Sequence, residues 1–353
     1  MNYTDKTHEA VQLLKQMVAI PSVSREEREV ADLIQQCLQA KGYHPTRTGN
    51  NVWAKTKCYD ESLPTVLLDA HLDTVRPVNG WTHKPFEAEE TADGTLYGLG
   101  TNDDGASLVS LMQAFFTIDE LGGNGQYNLI FSASCEEEVS GKNGIESILP
   151  LLPPIDFAII GEPTGMQPAI AEKGLMVIDV TAKGVAGHAA RNEGVNAIYQ
   201  AIEDIRWVEH HQFARVSPLL GPIKATVTII QAGTQHNVIP DSCQFTIDVR
   251  SNECYTNQEL FDEIAQNLKG TAVARSFRLN SSSIDMMHPI VQKAISLGLT
   301  PFGSPTLSNQ ALLPFPSIKI GPGDSSRSHT ADEYIKIAEI EQAIQLYVRL
   351  LQA

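Results

Sequence analysis

Two side chains with metal-ligand chemistry stand two residues apart in the stretch Leu67–Thr74. An apolar run, Thr65–Leu68, leads directly to His71 and Asp73. Because residues i and i+2 of a strand point to the same face, these two side chains should leave the end of a strand side by side. Open α/β sheets bind their ligands at that carboxyl edge. The pair therefore indicates a metal-binding imidazole oriented by a carboxylate, with a purely structural histidine as the alternative.

A second acidic motif lies in the glycine-rich segment Gly98–Gly105. Its glycines could form a phosphate-binding loop, but the Gly-Lys-Ser/Thr ending of such loops is missing. Asp103 and Asp104 also stand where a phosphate needs amides and a cation. A tight turn that delivers Asp103 to a metal ion fits these residue types better. An aspartate that only caps the following helix is the alternative.

Further candidate ligands follow later strands. Three adjacent carboxylates, Glu136–Glu138, come directly after an apolar run and repel one another unless a cation or solvent neutralises them. At a sheet edge one of them could bind a metal while its neighbour acts as a general base. A solvated loop is the alternative. Glu162 follows another predicted strand, and His329 lies in a loop with little structural need for a histidine.

Together these side chains exceed the needs of one metal ion. A single catalytic zinc takes three protein ligands and one water. Two ions that share a bridging carboxylate and a bridging water would use the whole set, and they match the dinuclear sites of hydrolytic enzymes. We therefore expect a two-metal hydrolytic centre.

The elements that must position these residues are predicted to form two domains. Helical and strand patterns alternate over residues 1–173 and 282–353, which predicts an α/β domain with a mostly parallel sheet covered on both faces. Residues 174–281 have a β-α-β-β-α-β order, typical of a ferredoxin-like α+β unit, and are expected to form an inserted domain. Ser24–Glu27 matches a capping box and predicts a helix start. Asp93-Gly94 predicts a hairpin turn.

Length, charge and cysteine usage narrow the function classes. The chain has 353 residues, 42% hydrophobic and 19% charged, which is ordinary for a globular protein of two domains. With 26 basic and 42 acidic residues its formal charge is −16, which disfavours nucleic acid and anionic membranes as partners. No membrane span or targeting segment is predicted. The five cysteines, odd in number and without a CxxC pair, favour a reduced, cytoplasmic setting.

The ordered set of these motifs resembles the dizinc M20 family of peptidases and deacylases. The motifs are HxD at 71–73, GxGxxD at 98–103, the glutamates at 137–138, GEP at 161–163 and the late His329. The family includes acetylornithine deacetylase, succinyl-diaminopimelate desuccinylase, aminoacylase and tripeptidases, and the resemblance extends over essentially the whole chain. It implies a zinc-peptidase-like sheet flanked by helices, an inserted lid or dimerisation domain, and a homodimer, with a monomer as the alternative because the family includes both.

The resemblance implies a role for each of these residues. Five metal ligands are expected for two zinc ions, with cobalt or manganese as alternative metals: His71 and Glu162 on one ion, Glu138 and His329 on the other, and Asp103 bridging both. Asp73 would orient His71, and the peptide bond after Asp103 would be cis. Glu137 would take a proton from the metal-bridging water and pass it to the leaving amine. A register one residue earlier, with Glu136 as base and Glu137 as ligand, stays open.

In the inserted domain the resemblance implies contacts with the substrate. His188, in the segment Lys183–Arg191, would help to stabilise the oxyanion and in dimers would reach the partner's site. Arg191, Asn237 and Arg250 would contact the substrate. Arg250 could hold the α-carboxylate of the substrate through a bidentate pair. Pairing of Arg250 with a carboxylate of its own domain is the alternative.

The substrate is expected to be a small N-acyl amino acid. Tyr97–Thr101 is similar to the acetylornithine deacetylase form of the glycine motif, although Leu99 stands where many relatives carry Arg and Gly105 where Lys is usual. Thr306–Ala311 departs from the Ser-Asp-x-Arg pattern of desuccinylases. These features favour removal of an acetyl group from an ornithine- or citrulline-like compound, as in arginine biosynthesis. A desuccinylase for N-succinyl ornithine, citrulline or diaminopimelate, a small di- or tripeptidase, and an inactive metal-binding scaffold are the alternatives.

Overall fold

The structure, a computed structural model that describes residues 3–122 and 125–352, divides into two compact units. The larger unit contains Met1–Ile170, Ile284–Phe302 and Ser308–Ala353, and the smaller unit contains Ala171–Ser283 and Gly303–Leu307. The insert predicted from the sequence, residues 174–281, does not include the short segment Gly303–Leu307. Nothing in the local sequence pattern distinguishes this segment from the larger domain that surrounds it in the chain. The function of the smaller unit as a lid or dimerisation domain stays a prediction.

Helices and strands alternate along most of the chain. Among the described residues the α-helices are α1 (Tyr3–Val18), α2 (Arg28–Ala40), α3 (Ala106–Glu120), α4 (Ala197–His210), α5 (Asn257–Asn267), α6 (Pro289–Ser296) and α7 (Ile337–Leu351). The strands are β1 (Thr46–Thr48), β2 (Asn51–Lys55), β3 (Thr65–His71), β4 (Glu89–Glu90), β5 (Thr95–Tyr97), β6 (Asn128–Ser134), β7 (Phe157–Ile160), β8 (Ala169–Glu172), β9 (Gly174–Lys183), β10 (Gly187–His188), β11 (Lys224–Ala232), β12 (Val238–Ile239), β13 (Ser242–Ser251), β14 (Thr271–Ala274), β15 (Ser282–Ser283), β16 (Phe302–Ser304), β17 (Ser317–Lys319) and β18 (Tyr334–Lys336).

The larger unit is built on a mixed sheet that contains the strand order β1-β2-β6-β3-β7-β17. Strand β3 runs parallel to β6 and β7, and β17 runs parallel to β7, whereas β2 is antiparallel to β1 and β6. Successive residues of β3 enter different apolar clusters. Val66 and Leu68 pack with residues of α1, α3 and α7, and Leu67 joins a second cluster. Because both faces are covered, β3 is buried along its whole length, and the predicted mostly parallel α/β sheet is confirmed.

The central parallel strands end at one edge of this sheet, and that edge carries the candidate ligands. Strand β3 ends at His71, which lies opposite Ser134, the last residue of β6. The glutamates 136–138 follow β6, and Glu162 comes two residues after β7. Parallel pairing therefore brings segments that are far apart in the sequence to the same end of the sheet.

The smaller unit follows the predicted β-α-β-β-α-β order, here β9-α4-β11-β13-α5-β14. Its sheet has the order β11-β13-β9-β14, and neighbouring strands are antiparallel. Strand β9 alternates buried and half-buried residues. Its buried residues Met176, Ile178 and Val180 join an apolar cluster that includes residues of α4 and α5. The period-two pattern of β9 is thus explained by helices that cover one face of the sheet.

The two local predictions have different outcomes. The hairpin expected at Asp93-Gly94 is confirmed, because β4 and β5 pair antiparallel across it and Gly94 has a φ of 77°. The capping box expected at Ser24–Glu27 is wrong. Helix α2 begins without a side-chain cap, and the Ser24 hydroxyl donates to the Asp73 carboxylate instead. A tertiary hydrogen bond has replaced the local one.

Candidate metal centre

His71 ends strand β3 with its ring fixed from one side. Its Nδ1 atom lies 2.8 Å from the main-chain oxygen of Asp73. Because that oxygen can only accept, Nδ1 carries the proton and donates. The other ring nitrogen, Nε2, lies 3.1 Å from Oδ1 of Asp103. Burial disfavours a charged ring, but the carboxylates of Asp103 and Asp73 raise the pKa of His71 well above its ordinary value. Because Nδ1 is held by the Asp73 oxygen, Nε2 is the ring nitrogen that faces the acidic cluster, and it can bind a metal ion once its proton is displaced.

Asp103 lies in a turn that glycine makes possible. Gly100 precedes it with a φ of 76°, and a Cβ atom at this position would lie 2.7 Å from the side chain of Thr74. The turn Thr101–Gly105 leads into α3, and its Asp103–Asp104 peptide bond is cis, as the resemblance implies. This geometry brings the Asp103 carboxylate to the end of β3.

The two carboxylate oxygens of Asp103 face different imidazoles. Oδ1 lies 3.1 Å from Nε2 of His71, and Oδ2 lies 3.6 Å from Nε2 of His329. Burial by itself would raise the pKa of Asp103, but the two histidines lower it below its ordinary value. A carboxylate held between two imidazoles has the arrangement that two neighbouring metal ions share.

Glu138 contacts the second imidazole. One of its carboxylate oxygens lies 3.0 Å from Nε2 of His329, and this contact raises the pKa of His329 to about 9 against the opposing effect of partial burial. Ligand atoms of His71, Asp103 and Glu138 all lie within 4.8 Å of one another. These three side chains are therefore close enough to surround one ion.

Glu137 and Glu162 form a second group with His71. Their ligand atoms and that of His71 also lie within 4.8 Å of one another. Both side chains are half-buried. Loss of water around each carboxyl group, together with neighbouring carboxylates, raises the pKa of Glu137 and of Glu162 well above the ordinary value. The charge of Lys319, a buried residue of β17, opposes the shift at Glu162. Such crowding of acids is unfavourable unless further positive charge is added.

The composition of this cluster fits divalent metal ions. Its ligand atoms are imidazole nitrogens and carboxylate oxygens, the donors that Zn²⁺ takes in catalytic sites and that Co²⁺ and Mn²⁺ also accept. The two groups of ligand atoms overlap at His71, and Asp103 faces both imidazoles. Added cations would neutralise the carboxylates whose pKa values crowding raises. The residues present therefore fit a pair of ions.

Asp73 holds the loop that carries two of the glutamates. Its carboxylate accepts the main-chain N–H groups of Glu137 at 3.0 Å and Glu138 at 3.1 Å, and the hydroxyl of Ser24 at 2.7 Å. The same carboxylate lies 3.6 Å from Nδ1 of His71. Burial raises its pKa, but these partners outweigh burial and lower the pKa of Asp73. Asp73 therefore positions the glutamates as well as the histidine.

Glu136 has other partners. Its carboxylate accepts a hydrogen bond from Asn143 at 2.8 Å, and its main-chain N–H donates to the carboxylate of Glu27 at 3.2 Å. Its φ of 56° turns the chain between β6 and Glu137. These contacts favour the register in which Glu137 and Glu138, rather than Glu136 and Glu137, are the base and the ligand.

Sequence reasoning missed Glu333, four residues after His329. Its buried carboxylate accepts the main-chain N–H groups of Gly100 at 3.1 Å, Asn102 at 2.8 Å and Asp103 at 2.9 Å. Burial and the nearby Asp103 raise the pKa of Glu333 to about 7. The only sequence signal is an acid in the same segment as the late histidine, and nothing local indicates that it fixes the Asp103 turn.

A second missed acid is Asp69, which lies two residues before His71 on β3. Its carboxylate accepts the Ser134 hydroxyl at 3.1 Å and the side-chain amide of Asn309 at 3.0 Å. Burial raises the pKa of Asp69 to about 7. Asn309 belongs to the segment Thr306–Ala311 that departs from the desuccinylase pattern, so this segment anchors itself to the sheet through an amide.

Two predicted substrate residues, His188 and Asn237, lie on the paired short strands of the smaller unit. His188 is exposed on β10 opposite Val238 of β12, and Asn237 directly precedes β12. The Nδ1 atom of His188 accepts the main-chain N–H of Ala190 at 3.1 Å, and the main-chain oxygen of Asn237 accepts the N–H of Ala189. Their contacts with a substrate stay predictions.

The two predicted arginines also lie in the smaller unit, and each is near an acid. Arg191 is exposed and lies 3.9 Å from the carboxylate of Glu193. Arg250 donates through Nε and Nη2 to the carboxylate of Asp248 at 2.8 and 3.2 Å. The pairing of Arg250 within its own domain is therefore present, and its contact with a substrate carboxylate stays a prediction.

Comparison with known proteins gives a family match. A model described as "Peptidase family M20/M25/M40" matches residues 67–353. The succinyl-diaminopimelate desuccinylase of Corynebacterium glutamicum is 27% identical over 362 residues, which cover 95% of this chain and 94% of that protein. The acetylornithine deacetylase of Proteus mirabilis is 26% identical over 384 residues, which cover 97% and 96%.

A solved structure shares the fold. The Bacillus subtilis YXEP protein, described as a dinuclear metal binding peptidase from the M20 family, matches with a TM-score of 0.75 and 16% identity over 99% of this chain and 98% of that one. At this identity the likeness shows the fold alone.

Proposed function

This chain belongs to peptidase family M20/M25/M40, and we propose that it removes an N-acyl group, acetyl before succinyl, from an amino acid such as N-acetylornithine or N-acetylcitrulline. It is a metal-dependent hydrolase of linear amides. One observation carries the two-ion centre on which this proposal rests: the Asp103 carboxylate faces Nε2 of His71 at 3.1 Å and Nε2 of His329 at 3.6 Å. Glu137 lies in the ligand group of His71, where a base is needed.

The proposed ligand assignment is the one that the resemblance to the family implies, although His71, Asp103 and Glu138 also lie within 4.8 Å of one another. The five side chains would be divided as His71 and Glu162 on one ion, Glu138 and His329 on the other, and Asp103 on both. Zinc is the proposed metal, with cobalt or manganese as alternatives. When bound, two such ions polarise the amide carbonyl and make an attacking water more acidic. The 3.0 Å contact between Glu138 and His329 supports their assignment to the same ion.

Glu137 is the proposed general base. Its carboxylate takes a proton from the attacking water and delivers it to the nitrogen of the leaving amine, so one group acts first as base and then as acid. The main chain of Glu137 is fixed by Asp73 at 3.0 Å, which supports a defined position for its side chain. The bond between Glu136 and Asn143 supports this register over the earlier one.

His188 is the proposed donor to the oxyanion. Because its Nδ1 accepts the N–H of Ala190, the neutral ring carries its proton on Nε2, the tautomer that can donate a hydrogen bond there. Arg191, Asn237 and Arg250 are proposed substrate contacts. For Arg250 this role requires that its guanidinium binds the substrate carboxylate beside, or in place of, its present acidic partner.

Three side chains support an acetyl rather than a succinyl group. Leu99 is buried and apolar where the resemblance leads one to expect Arg. Asn309 is uncharged, and its amide donates to Asp69. Arg327, two residues before His329, is neutralised by two bonds to Glu339, at 2.8 and 3.1 Å. A succinyl carboxylate would need a positive charge that none of the three offers. The relatives of 27% and 26% identity do not separate the two activities.

A hydrolysis screen tests the proposed substrate. N-acetyl and N-succinyl derivatives of ornithine, citrulline and diaminopimelate, together with a tripeptide, would be compared by kcat/KM with zinc-, cobalt- and manganese-loaded protein. We expect an N-acetyl ornithine or citrulline to exceed its succinyl counterpart by about 10-fold or more, since Leu99, Asn309 and the paired Arg327 offer no positive charge to the second carboxylate. A higher kcat/KM for the succinyl compound would favour the desuccinylase. A higher kcat/KM for the tripeptide would favour a peptidase. No hydrolysis by ion-loaded protein would favour the scaffold.

A homodimer is the proposed assembly, and strand β11 supports it. This strand is at an edge of the smaller unit's sheet, and its residues Ile229 and Ile230 are 49% and 52% exposed. Helix α4 adds the exposed residues Tyr199 and Ile202. An exposed edge strand with apolar side chains is a template for pairing with a second copy.

The variant Ile230→Lys is expected to convert the dimer to monomer, because a lysine on an edge strand opposes strand pairing. Sedimentation velocity checks this result. The matched control is Val273→Lys, a 60% exposed position on β14 at the opposite edge of the same sheet, which should remain dimeric. A monomeric wild-type protein, or a dimer that tolerates Ile230→Lys, would exclude this interface.

The cellular setting is likewise a proposal. A cytoplasmic enzyme of arginine biosynthesis fits the proposed substrates and the odd, scattered cysteines of the sequence. Within the described residues, no helix has both the length and the apolar character needed to cross a membrane.

A further inference from the structure

The side chain of Asn102, the residue before Asp103, joins two segments of the larger unit. It is fully buried. Its Oδ1 atom accepts the main-chain N–H of Asp324 at 3.0 Å, and its Nδ2 atom donates to the main-chain oxygen of Asp324 and to Oγ of Ser328, each at 3.1 Å. Asn102 therefore makes three hydrogen bonds to the segment that ends at His329.

This contact depends on a close approach of the two segments. Gly323 has a φ of 86°, and a Cβ atom at this position would lie 2.2 Å from Oδ1 of Asn102. The carboxylate of Asp324 is not part of the contact, because it accepts the N–H of Ser326 at 2.8 Å. Only glycine thus lets the amide of Asn102 reach the main chain of the His329 segment.

The Asp103 side of the contact has further partners outside the Gly323–His329 segment, although the Ser328 hydroxyl also bonds the Asp103 carboxylate. Glu333 accepts the main-chain N–H groups of Asn102 and Asp103 at 2.8 and 2.9 Å, and Oδ1 of Asp103 meets His71 at 3.1 Å. The His329 side is less constrained near the ligand itself. The His329 side chain is 53% exposed and meets Glu138 at 3.0 Å. Loss of the Asn102 amide should therefore displace His329 more than Asp103.

We propose that Asn102 is a positioning residue that fixes His329 relative to Asp103 and so sets the affinity for one of the two ions. The inference rests on the proposed ligand assignment, in which that ion has Glu138 and His329 as its own ligands. The other ion takes His71 and Glu162, neither of which Asn102 contacts through its side chain. The effect of Asn102 is thus selective for one ion.

Calorimetric titration of metal-free protein with Zn²⁺ tests this selectivity, and Co²⁺ absorption spectra report the coordination of each ion. In Asn102→Ala, we expect one ion to bind as in the wild type and the other about 10- to 100-fold more weakly, the range for outer partners of metal ligands. Gly323→Ala, which pushes on the same amide from the other side, should give the same pattern.

The matched control is Asn128→Ala. Asn128 is also buried and starts β6 at the end away from the ligands. Its side chain makes the same kinds of bond: it accepts the N–H of Asp60 at 2.8 Å and donates to the oxygens of Asp60 and Leu63 at 2.7 and 3.0 Å. Asn128→Ala should lower the melting temperature and leave both metal affinities unchanged.

The outcomes separate the inference from the proposed function. Wild-type protein that binds fewer than two ions would contradict the two-ion centre. If the wild-type protein binds two ions, two results for Asn102→Ala would overturn the role of Asn102 and leave the two-ion centre intact. Either both affinities stay within twofold of the wild type, or both are weakened equally. If Asn102→Ala does not fold, Gly323→Ala serves in its place, because it disturbs the same amide of Asn102, and it should weaken the same ion several-fold. Unchanged affinities in that variant would also overturn the inference.

Discussion

Replacing Glu137 with Gln is expected to lower kcat for amide hydrolysis by about 10²- to 10⁴-fold, the contribution of a positioned general base. The amide of Gln keeps the size of the side chain but cannot take a proton from water at neutral pH. Two ions should still bind, because Glu137 is not one of the five proposed ligands. Steady-state kinetics and metal analysis of the same preparation measure both quantities.

The neighbouring variant Glu136→Gln is the matched control. The Glu136 carboxylate accepts from Asn143 at 2.8 Å, and a Gln side chain can still accept that bond. Its kcat should therefore stay close to the wild-type value. If Glu136→Gln loses turnover while Glu137→Gln loses an ion, the register lies one residue earlier. A fully active, metal-loaded Glu137→Gln would reject the general-base assignment altogether.

Removal of the ions by a chelator is expected to abolish hydrolysis and to leave a protein whose stability falls as the pH rises. Without cations the carboxyl groups of the cluster keep protons. Burial raises the pKa of Asp104 to about 8, although His71 opposes it, and burial together with Asp103 raises the pKa of Glu333 to about 7. The contact with Glu138 raises the pKa of His329 to about 9.

The sign of the effect is the same for all three groups. Each has a higher pKa in the folded protein than in the unfolded chain, so the folded state binds more protons. The two acids contribute stability below about pH 4 and lose it as the pH rises to their folded values of about 7 and 8. His329 contributes below about pH 6.5 and loses its contribution through about pH 9. The melting temperature of metal-free protein should therefore decrease as the pH is raised from about 5 to about 9, an interval that includes the folded pKa values of all three groups.

Melting curves at several pH values, with and without added Zn²⁺, check this prediction. Added ions replace the protons on the ligands, so the loaded protein should melt at a higher temperature, and the difference should grow with pH. The melting temperature, from circular dichroism or calorimetry, should be measured at constant ionic strength, because salt also screens the interactions between charged groups. A metal-free melting temperature that rises or stays level over this range would contradict the acid crowding described above.

The sequence by itself determined where metal chemistry could lie. His71 ends a strand of seven buried residues, and the glutamates after β6 and β7 follow strands of the same kind. Runs of apolar residues predict buried parallel strands, and parallel strands end at one edge. Those two local rules are enough to bring His71, Glu138 and Glu162 to one end of a sheet. The β-α-β-β-α-β order of the smaller unit was equally readable, because it depends on periodicity within each element.

Only the tertiary structure decided which partner each polar group takes. Ser24 matched a local capping motif but donates to Asp73, 49 residues later in the chain. Glu333 accepts from Asn102 across 231 residues, and Asn102 donates to Asp324 across 222. A hydrogen bond requires its two atoms to meet within a few tenths of an ångström of a fixed distance. That distance depends on how whole elements pack, and local patterns of hydrophobicity or turn residues carry no information about it.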